Sequence, residues 1–509
     1  MSASSSTSLR EEKLSRSTSA ASTAFQSSRA DGKDSVSRST SLLGGVGKNK
    51  KDGKPDVTQG ELGAIEEEVD GVFGEQGGAD TIDYRSVGWV WTSIILMKLQ
   101  IGLGVLNIPS SLGTLGLVPG LIILILFAGL TGWTDVVIGN FKLNHPQVYS
   151  LADCGRLMYG RIGGVVFGFA TWMYMAMVTG SAFIGISTAF NAITLHATCT
   201  AVWVMVAAVV TYPLASLPKI ESLKVLGWIA LVSIVSAVMI VVISVAVGDR
   251  PALAPQDGPF TPEIKAFGTP TFAQAMNAVA NLLLAFAGTP AYLPVACEMR
   301  KPSDFRKAVI FSQTVMTAFY IVVGVVLYTY ANPYIASPAL GTAGVLVKRI
   351  SYGIALPGLF FTAIIYNHLA AKFIFVRVLR GSHHLNHPTA KHWAVWLSCT
   401  GACLLFSYIV AEAIPVFSGL VGLVSALFGT MMALHAEALM YLYDTWAVFK
   451  VKERRTPLMW FGIFFNLAIL VIATVVMGGG TYGSVLNIRD DYSTNGGRPW
   501  SCADNSGSS

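Results

Sequence analysis

Charge is scarce in this 509-residue chain. Asp, Glu, Lys and Arg make up 13% of it, where an ordinary soluble domain carries about 25%. Apolar residues reach 53%, and the mean hydropathy is +0.56. A water-soluble fold of this composition has to leave large apolar patches exposed; a bilayer removes that requirement. The net charge of +6 is modest, and much of the basic charge borders apolar runs. It reads as membrane topology rather than a nucleic-acid footprint. Six cysteines are present, at 154, 199, 297, 399, 403 and 502, with no C-x-x-C pair and no metal-like histidine spacing. That excludes a zinc or redox site. Most read as small apolar packing residues; a Cys199–Cys502 bridge on the outer side is left open but is not the expectation. The first 40 residues contain no apolar h-region, so no cleavable signal peptide is expected and the first span starts insertion. Nucleophiles, metal ligands and acid–base pairs do not cluster at one depth. The chain therefore does not read as an enzyme, and no cofactor is expected.

What is present is a block of tail and a series of long apolar runs. Residues 1–87 are rich in Ser, Thr, Gly and charge, with the acidic run Glu66-Glu67-Glu68. They cannot bury enough apolar surface to offset the entropy of ordering, so a disordered cytoplasmic tail is expected. The serines near Arg10 and Lys13, and Lys48, Lys50 and Lys51, are candidate sites for regulatory kinases or a ubiquitin ligase; a plain solvated tail reads equally well. From residue 88 to 479 apolar runs of about 20 residues recur, each long enough to cross about 30 Å of hydrocarbon as a helix. Eleven are expected, near 88–111, 115–139, 162–193, 199–217, 223–247, 272–296, 307–331, 350–376, 393–412, 414–436 and 458–479. Their continuity excludes the alternation of barrel strands. The fold class is thus an all-α polytopic membrane protein.

Sixteen Lys and Arg fall in the loops of one side, among them Lys142, Arg156, Lys219, Arg300, Arg380, Lys450, Lys452, Arg454 and Arg455. Only Arg250, Lys265, Lys348 and Arg349 fall on the other. The asymmetry predicts a cytoplasmic N-terminus and, with an odd number of spans, a non-cytoplasmic tail over 480–509. Lys348-Arg349 runs against the rule.

Two spans carry helix breakers. Span 1 contains Gly102-Leu103-Gly104-Val105-Leu106-Asn107-Ile108-Pro109, and span 6 contains Phe286-Ala287-Gly288-Thr289-Pro290. Gly weakens a helix and Pro deletes a backbone hydrogen bond. Irregular backbone at membrane depth is tolerated only against protein or a water-filled cavity. The two spans lie five apart, so the second set of five enters from the opposite side, as in an inverted repeat. Interrupted spans at matching positions of two halves point to a transporter's central site. Freed N–H groups suit a carboxylate, freed carbonyls suit an ammonium, and an α-amino acid carries both. Single glycines also serve close helix packing; the pairing at matching positions favours a binding role.

These residues carry a resemblance. Gly102-x-Gly104-Val-Leu-x-Ile-Pro109 resembles the first-helix signature of the amino acid/auxin permease family. Phe286-Ala-Gly-Thr followed by Glu298-Met-Arg-Lys-Pro-x-Asp304-Phe305 resembles its sixth helix and inner loop. Asp83-Tyr84-Arg85 with Trp89, and His145-Pro146-Gln-Val-Tyr149-Ser-Leu-Ala-Asp153, are similar to its fungal branch of neutral amino acid permeases. The resemblance spans about residues 83–478. It implies eleven helices, the five-plus-five inverted repeat of leucine-transporter-like proteins with helices 1 and 6 broken, and proton-coupled amino acid uptake. The substrate-binding set it implies is Ile101, Gly102, Leu103, Gly104, Val105, Phe286, Ala287, Gly288 and Thr289, with Tyr174 from span 3.

Lys98 lies one turn before Gly102. A charge inside a span is costly and usually faces the bundle interior. By the resemblance Lys98 falls where sodium-coupled relatives hold an ion beside the break. Its ammonium then either replaces that cation or exchanges the coupled proton; a lysine snorkelling to the inner face is the plain alternative. Glu298 is the expected inner gate, paired with a loop Arg or Lys. Asp135 and Glu437 read as polar residues near inner helix ends. Asn277 and Asn281 read as interhelical hydrogen-bonding groups, Asn367-His368 as candidates to reach the cavity, and the loop histidines 383, 384, 387 and 392 as solvated rather than metal-binding. No acidic residue sits mid-span in spans 1, 3, 6 or 8, so a cationic substrate side chain lacks a partner. Neutral amino acids are expected, large apolar or aromatic ones included. The alternatives are a sensor with little or no transport, and a vacuolar exporter; the plasma membrane is the expected location.

Overall fold

The computed structural model describes residues 87–507 apart from 218–223, 249, 256, 258–260, 380–381, 383, 385–388, 450–455 and 495–497. The expected tail over 1–87, except Val87, lies outside the described residues. So do Asp83-Tyr84-Arg85, Lys219, Arg380, His383, His387, Lys450, Lys452, Arg454 and Arg455.

Among the described residues the chain is helical, with one isolated bridge between Val87 and Met299. The first span is a pair, α1 (Trp89–Gln100) and α2 (Ile108–Leu115), joined by a 3-10 turn at Gly104–Asn107 and bent by 44°. Then come α3 (Leu117–Asn144), α4 (Leu151–Thr194), α5 (Thr200–Ala215) and α6 (Lys224–Ala246). The sixth span is also divided, into α7 (Phe272–Leu284) and α8 (Tyr292–Cys297). It is followed by α9 (Phe305–Ala331), α10 (Val345–Val378) and α11 (Ala390–Ala413). Next, α12 (Phe417–Val424) passes through π turns at Ser425–Gly429 and Met431–His435 into α13 (Ala436–Phe449), and α14 (Pro457–Thr494) ends the series. Nine helices of the described residues are long and apolar enough to cross a membrane, and the bent first pair makes ten. The expected eleventh, α5, has 16 residues, a rise of about 24 Å.

Local signals set the starts. Ser150 and Asp153 form a capping box at α4, Thr271 and Gln274 another at α7, and Thr389 caps α11. Gly116 turns the chain between α2 and α3 at φ +90°; a Cβ there would lie 2.3 Å from the amide nitrogen of Gly268, so only glycine fits. The ends differ from the expected ones. Helix α3 runs to Asn144 rather than 139, α13 to Phe449 rather than 436, and α14 to Thr494 rather than 479. An apolar window measures the hydrocarbon crossing, whereas the hydrogen-bonded ladder continues past it through polar residues.

This moves two residues. Asp135 and Glu437, expected near helix ends, are 1% and 0% exposed: Asp135 lies inside α3, and Glu437 lies in the first turn of α13, within the continuous span Phe417–Trp446. In the core α10 packs on α4, α6 and α11, and α14 packs on α7. The interhelical role of the asparagines is seen directly: Asn107 donates to Asn281 at 3.3 Å, and Ser484 donates to Asn277 at 2.9 Å.

Cys199 and Cys502 form a disulfide, against the expectation that they stay separate. Residues distant in sequence are brought together because the end of the chain returns over the mouths of α4, α5 and α10. Thr200 donates to the carbonyl of Ala503 at 2.7 Å, and Asn505 donates to Ser187 at 3.0 Å. Lys348, the exception to the charge rule, is 3% exposed. Its ammonium donates to the carbonyls of Ser506 at 2.6 Å and Gly507 at 3.1 Å; it is a post for this segment. The other four cysteines are buried and outside any disulfide. Labelling of SDS-unfolded protein with a heavy maleimide is therefore expected to add four tags without reductant and six after reduction. Six tags without reductant would show that no bridge forms.

Candidate functional site between the broken spans

The regular ladder of α1 ends where the N–H of Ile101 reaches Met97 O at 2.9 Å. The N–H groups of Gly102, Leu103 and Gly104 have no backbone partner. Three successive free amides at the opening of the 3-10 turn before α2 are donors available to an anion. In span 6 the ladder stops at Leu284; residues 285–288 are irregular, and Thr289 opens the next turn with Pro290 in second position. The two breaks meet. A Cβ on Gly104 would lie 2.4 Å from Cα of Ala285, so the two backbones touch with no room for a side chain.

Tyrosines satisfy the carbonyls that the breaks release. Tyr174 on α4 donates to Ala287 O, Tyr320 on α9 to Ala285 O at 2.9 Å, and Tyr366 on α10 to Leu99 O at 3.4 Å. The rings of Tyr174 and Tyr366 stand edge to face at 6.2 Å. A lost backbone hydrogen bond is costly in hydrocarbon, and a phenol replaces it while filling space. Tyr320 and Tyr366 were not singled out in the sequence. Each sits within an apolar run with no local cue, and only the packing turns it to the breaks.

Two small hollows adjoin the first break. One is lined by Gln100, Gly102, Leu103, Gly104, Tyr174, Leu284, Thr362 and Tyr366, the other by Lys98, Ile101, Gly102, Ile234, Gly358, Phe361, Thr362 and Tyr366. Of the expected binding set they gather Ile101, Gly102, Leu103, Gly104 and Tyr174. Val105 is buried in the core at 0%. Phe286 stacks edge-on with Tyr320 at 5.3 Å, and Ala287 takes part through its carbonyl. Gly288 lies against the Tyr292 hydroxyl, where a Cβ would sit at 2.8 Å. Thr289 faces away from the hollows, donating to Asp135 at 3.4 Å. Asn367 and His368 do not reach the site. Asn367 donates to Thr400 O at 3.4 Å and His368 meets Ala215 O at 3.1 Å, because a residue one or two positions after Tyr366 points to another face of α10.

Lys98 lies half-buried at the edge of the second hollow, its ammonium 2.9 Å above the centre of the Phe361 ring. It joins α1 to α10 by a cation–π contact and lies against Gly227 of α6. Glu298 follows α8. Its carbonyl accepts from the N–H of Val87 at 3.3 Å, and its carboxylate acts on Lys372 of α10. The histidines described in the loop make local bonds: His384 with Thr389 at 2.9 Å and His392 with the carbonyl of His384 at 2.9 Å. No group of three or more metal-ligating side chains occurs among the described residues.

Comparison with known proteins places this geometry. Residues 85–486 match the family described as transmembrane amino acid transporter protein. A transmembrane transporter of Fusarium pseudograminearum is 33% identical over 85% of this chain and 90% of its own length. The N amino acid transport system protein of Neurospora crassa is 30% identical over 82% and 89%. Among solved structures, that of MhsT in complex with L-phenylalanine superposes with a TM-score of 0.53 at 13% identity, covering 79% of this chain and all of MhsT. At that identity the likeness concerns the fold alone.

Proposed function

This chain belongs to the transmembrane amino acid transporter protein family, and we propose that it is a proton symporter of neutral amino acids. The observation that carries this is the meeting of the two breaks at Gly104 and Ala285, with the free amides of residues 102–104 on one side and Tyr174 and Tyr366 on the other. The amides receive the substrate carboxylate, and the carbonyl ends of α1 and α7 receive the ammonium. The substrate side chain lies toward Leu103, Val178, Leu284 and the two tyrosines, which favours apolar or aromatic groups. No Asp or Glu lines either hollow, so a cationic side chain finds no partner. Eleven spans in a five-plus-five inverted repeat fit the positions of the two breaks, with α5 as the shortest.

Lys98 is a coupling residue. Protonated, it holds α1 against Phe361 of α10; deprotonated, it releases that contact. Glu298 is the inner gate, with Lys372 inside α10 as its partner in place of the expected loop cation. One charge through 100 mV supplies about 2.3 kcal/mol and one pH unit about 1.4 kcal/mol. Together they support several hundredfold accumulation, roughly tenfold for each 1.4 kcal/mol. The disulfide supports a C-terminal segment on the oxidising, non-cytoplasmic side. That agrees with a cytoplasmic N-terminus and a plasma-membrane location.

Purified protein in liposomes tests the reading. Uptake of a labelled neutral amino acid is expected to rise with an inward proton gradient. Unlabelled Phe, Leu or Met should compete, and Lys or Asp should not. Binding without flux would make the protein a sensor, and competition by Lys would overturn the neutral selectivity.

A further inference from the structure

On the flank of the breaks away from Lys98, a second group of polar side chains is sealed in the bundle. Asp135 of α3, Glu437 of α13 and Tyr292 of α8 are 1%, 0% and 1% exposed. Glu437 faces Asp135, Thr134 and Thr289, and Tyr292 faces Asp135 and Gln100. The inventory of donors and acceptors does not balance. Among the described residues, one oxygen of Asp135, both oxygens of Glu437 and the hydroxyl of Tyr292 make no hydrogen bond, although Thr134 and Thr289 approach Glu437 and Gln100 approaches Tyr292. Thr134 has one proton, and it is used on the carbonyls of Ala433 at 2.9 Å and Thr131 at 3.1 Å. Thr289 gives its own to Asp135.

Among the described residues no cation relieves the pair. Lys142, further along α3, donates to the carbonyls of Pro146 and Val148. His435, two residues before Glu437, bonds to Thr430 and Thr474. Helix α9 presents the uncharged Gln313, which donates to Thr131 at 2.8 Å. Helix α4 presents Thr171, which donates to Phe167 O at 2.7 Å. From α8 the titratable group that faces the pair is Tyr292, and from α14 the near polar group is Asn466, bonded to Gly462 O at 2.8 Å. Neither carboxyl is in a salt bridge with a described residue.

Ionised carboxyls are acceptors only. Two of them side by side in low dielectric, with three of their four oxygens unpartnered, are strongly disfavoured. One proton turns either carboxyl into a donor toward the other and removes a charge, satisfying two orphan oxygens in one step. We infer that Asp135 and Glu437 form a proton-exchange site, distinct from Lys98, whose occupancy is transmitted to the break of span 6 through Thr289 and Tyr292. Thr289 opens the turn after the break, and the Tyr292 hydroxyl lies against Gly288, so a changed hydrogen-bond demand at the pair acts on the segment that touches Gly104.

The inference rests on the proton-symport reading, and the experiment separates the two. Wild type, Asp135→Asn and Glu437→Gln are reconstituted in sodium-free liposomes. Uptake is measured against pH gradient, with substrate counterflow as the control for a folded, exchanging protein. Wild-type accumulation is expected to change about tenfold per pH unit. Each carboxamide keeps counterflow, but its accumulation responds less than about twofold, since a fixed amide cannot release a proton. A protonated-carboxyl band is expected in the wild-type infrared difference spectrum between acidic and neutral pH, and it weakens in either variant.

Wild type with no pH response overturns the symport reading itself. Wild type with a response that both variants share overturns the carboxyl site alone, as does the absence of the infrared band. The assay is then repeated with sodium added: a sodium-dependent uptake abolished by the variants would overturn the proton site and make the pair a metal-cation site.

Discussion

Gly104→Ala is expected to abolish transport, with initial uptake falling at least about 100-fold, the factor by which a misplacement of about 1 Å weakens a positioned site. The added methyl would lie 2.4 Å from Cα and 2.7 Å from the amide nitrogen of Ala285. Both are backbone atoms that no rotamer change moves aside. Overpacking a fitted core costs about 1–3 kcal/mol, and here the strain falls on the contact between the two breaks. Gly102→Ala is the matched control. Its methyl would meet the Thr362 side chain at 3.6 Å, an ordinary contact, and uptake should stay within about fivefold of wild type, the scale of about 1 kcal/mol. The measurement is uptake by equal amounts of monodisperse protein in liposomes, with melting in detergent followed alongside. If Gly104→Ala transports like wild type, the breaks do not meet as described and the site loses its floor.

Lys98→Met should uncouple the protein. Methionine keeps the length and apolar volume of the stem while removing the ammonium that lies over Phe361, a contact worth up to about 2 kcal/mol when desolvated. Accumulation against a gradient is expected to collapse from several hundredfold to near unity, a change of about 3–4 kcal/mol. Exchange of substrate across the membrane should continue, because the free amides and the tyrosine hydroxyls are untouched. Uptake by Lys98→Met that kept its full dependence on pH would remove Lys98 from coupling. Run beside the carboxamide variants, it also separates the two flanks of the break. Lys98→Met acts on α1, α6 and α10, and the carboxamides act on α3, α8 and α13.

Much of the site was legible because it is written in backbone chemistry. Gly102 with Gly104 in span 1, and Gly288 with Pro290 in span 6, set helix breakers close together, and the interruptions stand there; a lone Pro213 in α5 or Pro357 in α10 leaves its helix continuous. Side-chain partners were less accessible. Asp135 and Glu437 read as helix-end residues because hydropathy fades beside them, yet the helices continue through polar segments held by neighbouring helices. Asn367 and His368 looked like cavity residues, whereas Tyr366, one position earlier, is the one that turns inward. A rotation of about 100° per residue decides that, and an apolar run does not report it. The Cys199–Cys502 bridge joins residues 303 positions apart, a separation over which spacing carries no information.

By itself the sequence determined that the chain crosses a membrane many times as helices, because lipid leaves an isolated backbone no other way to satisfy its hydrogen bonds. It also determined where two of those helices break, because glycine and proline act locally. The tertiary structure alone decided which broken ends touch, which hydroxyls complete them, and that two carboxyls from opposite ends of the chain are enclosed together. Those outcomes depend on the rotation and depth of one helix against another, which are set by packing among residues far apart in the chain.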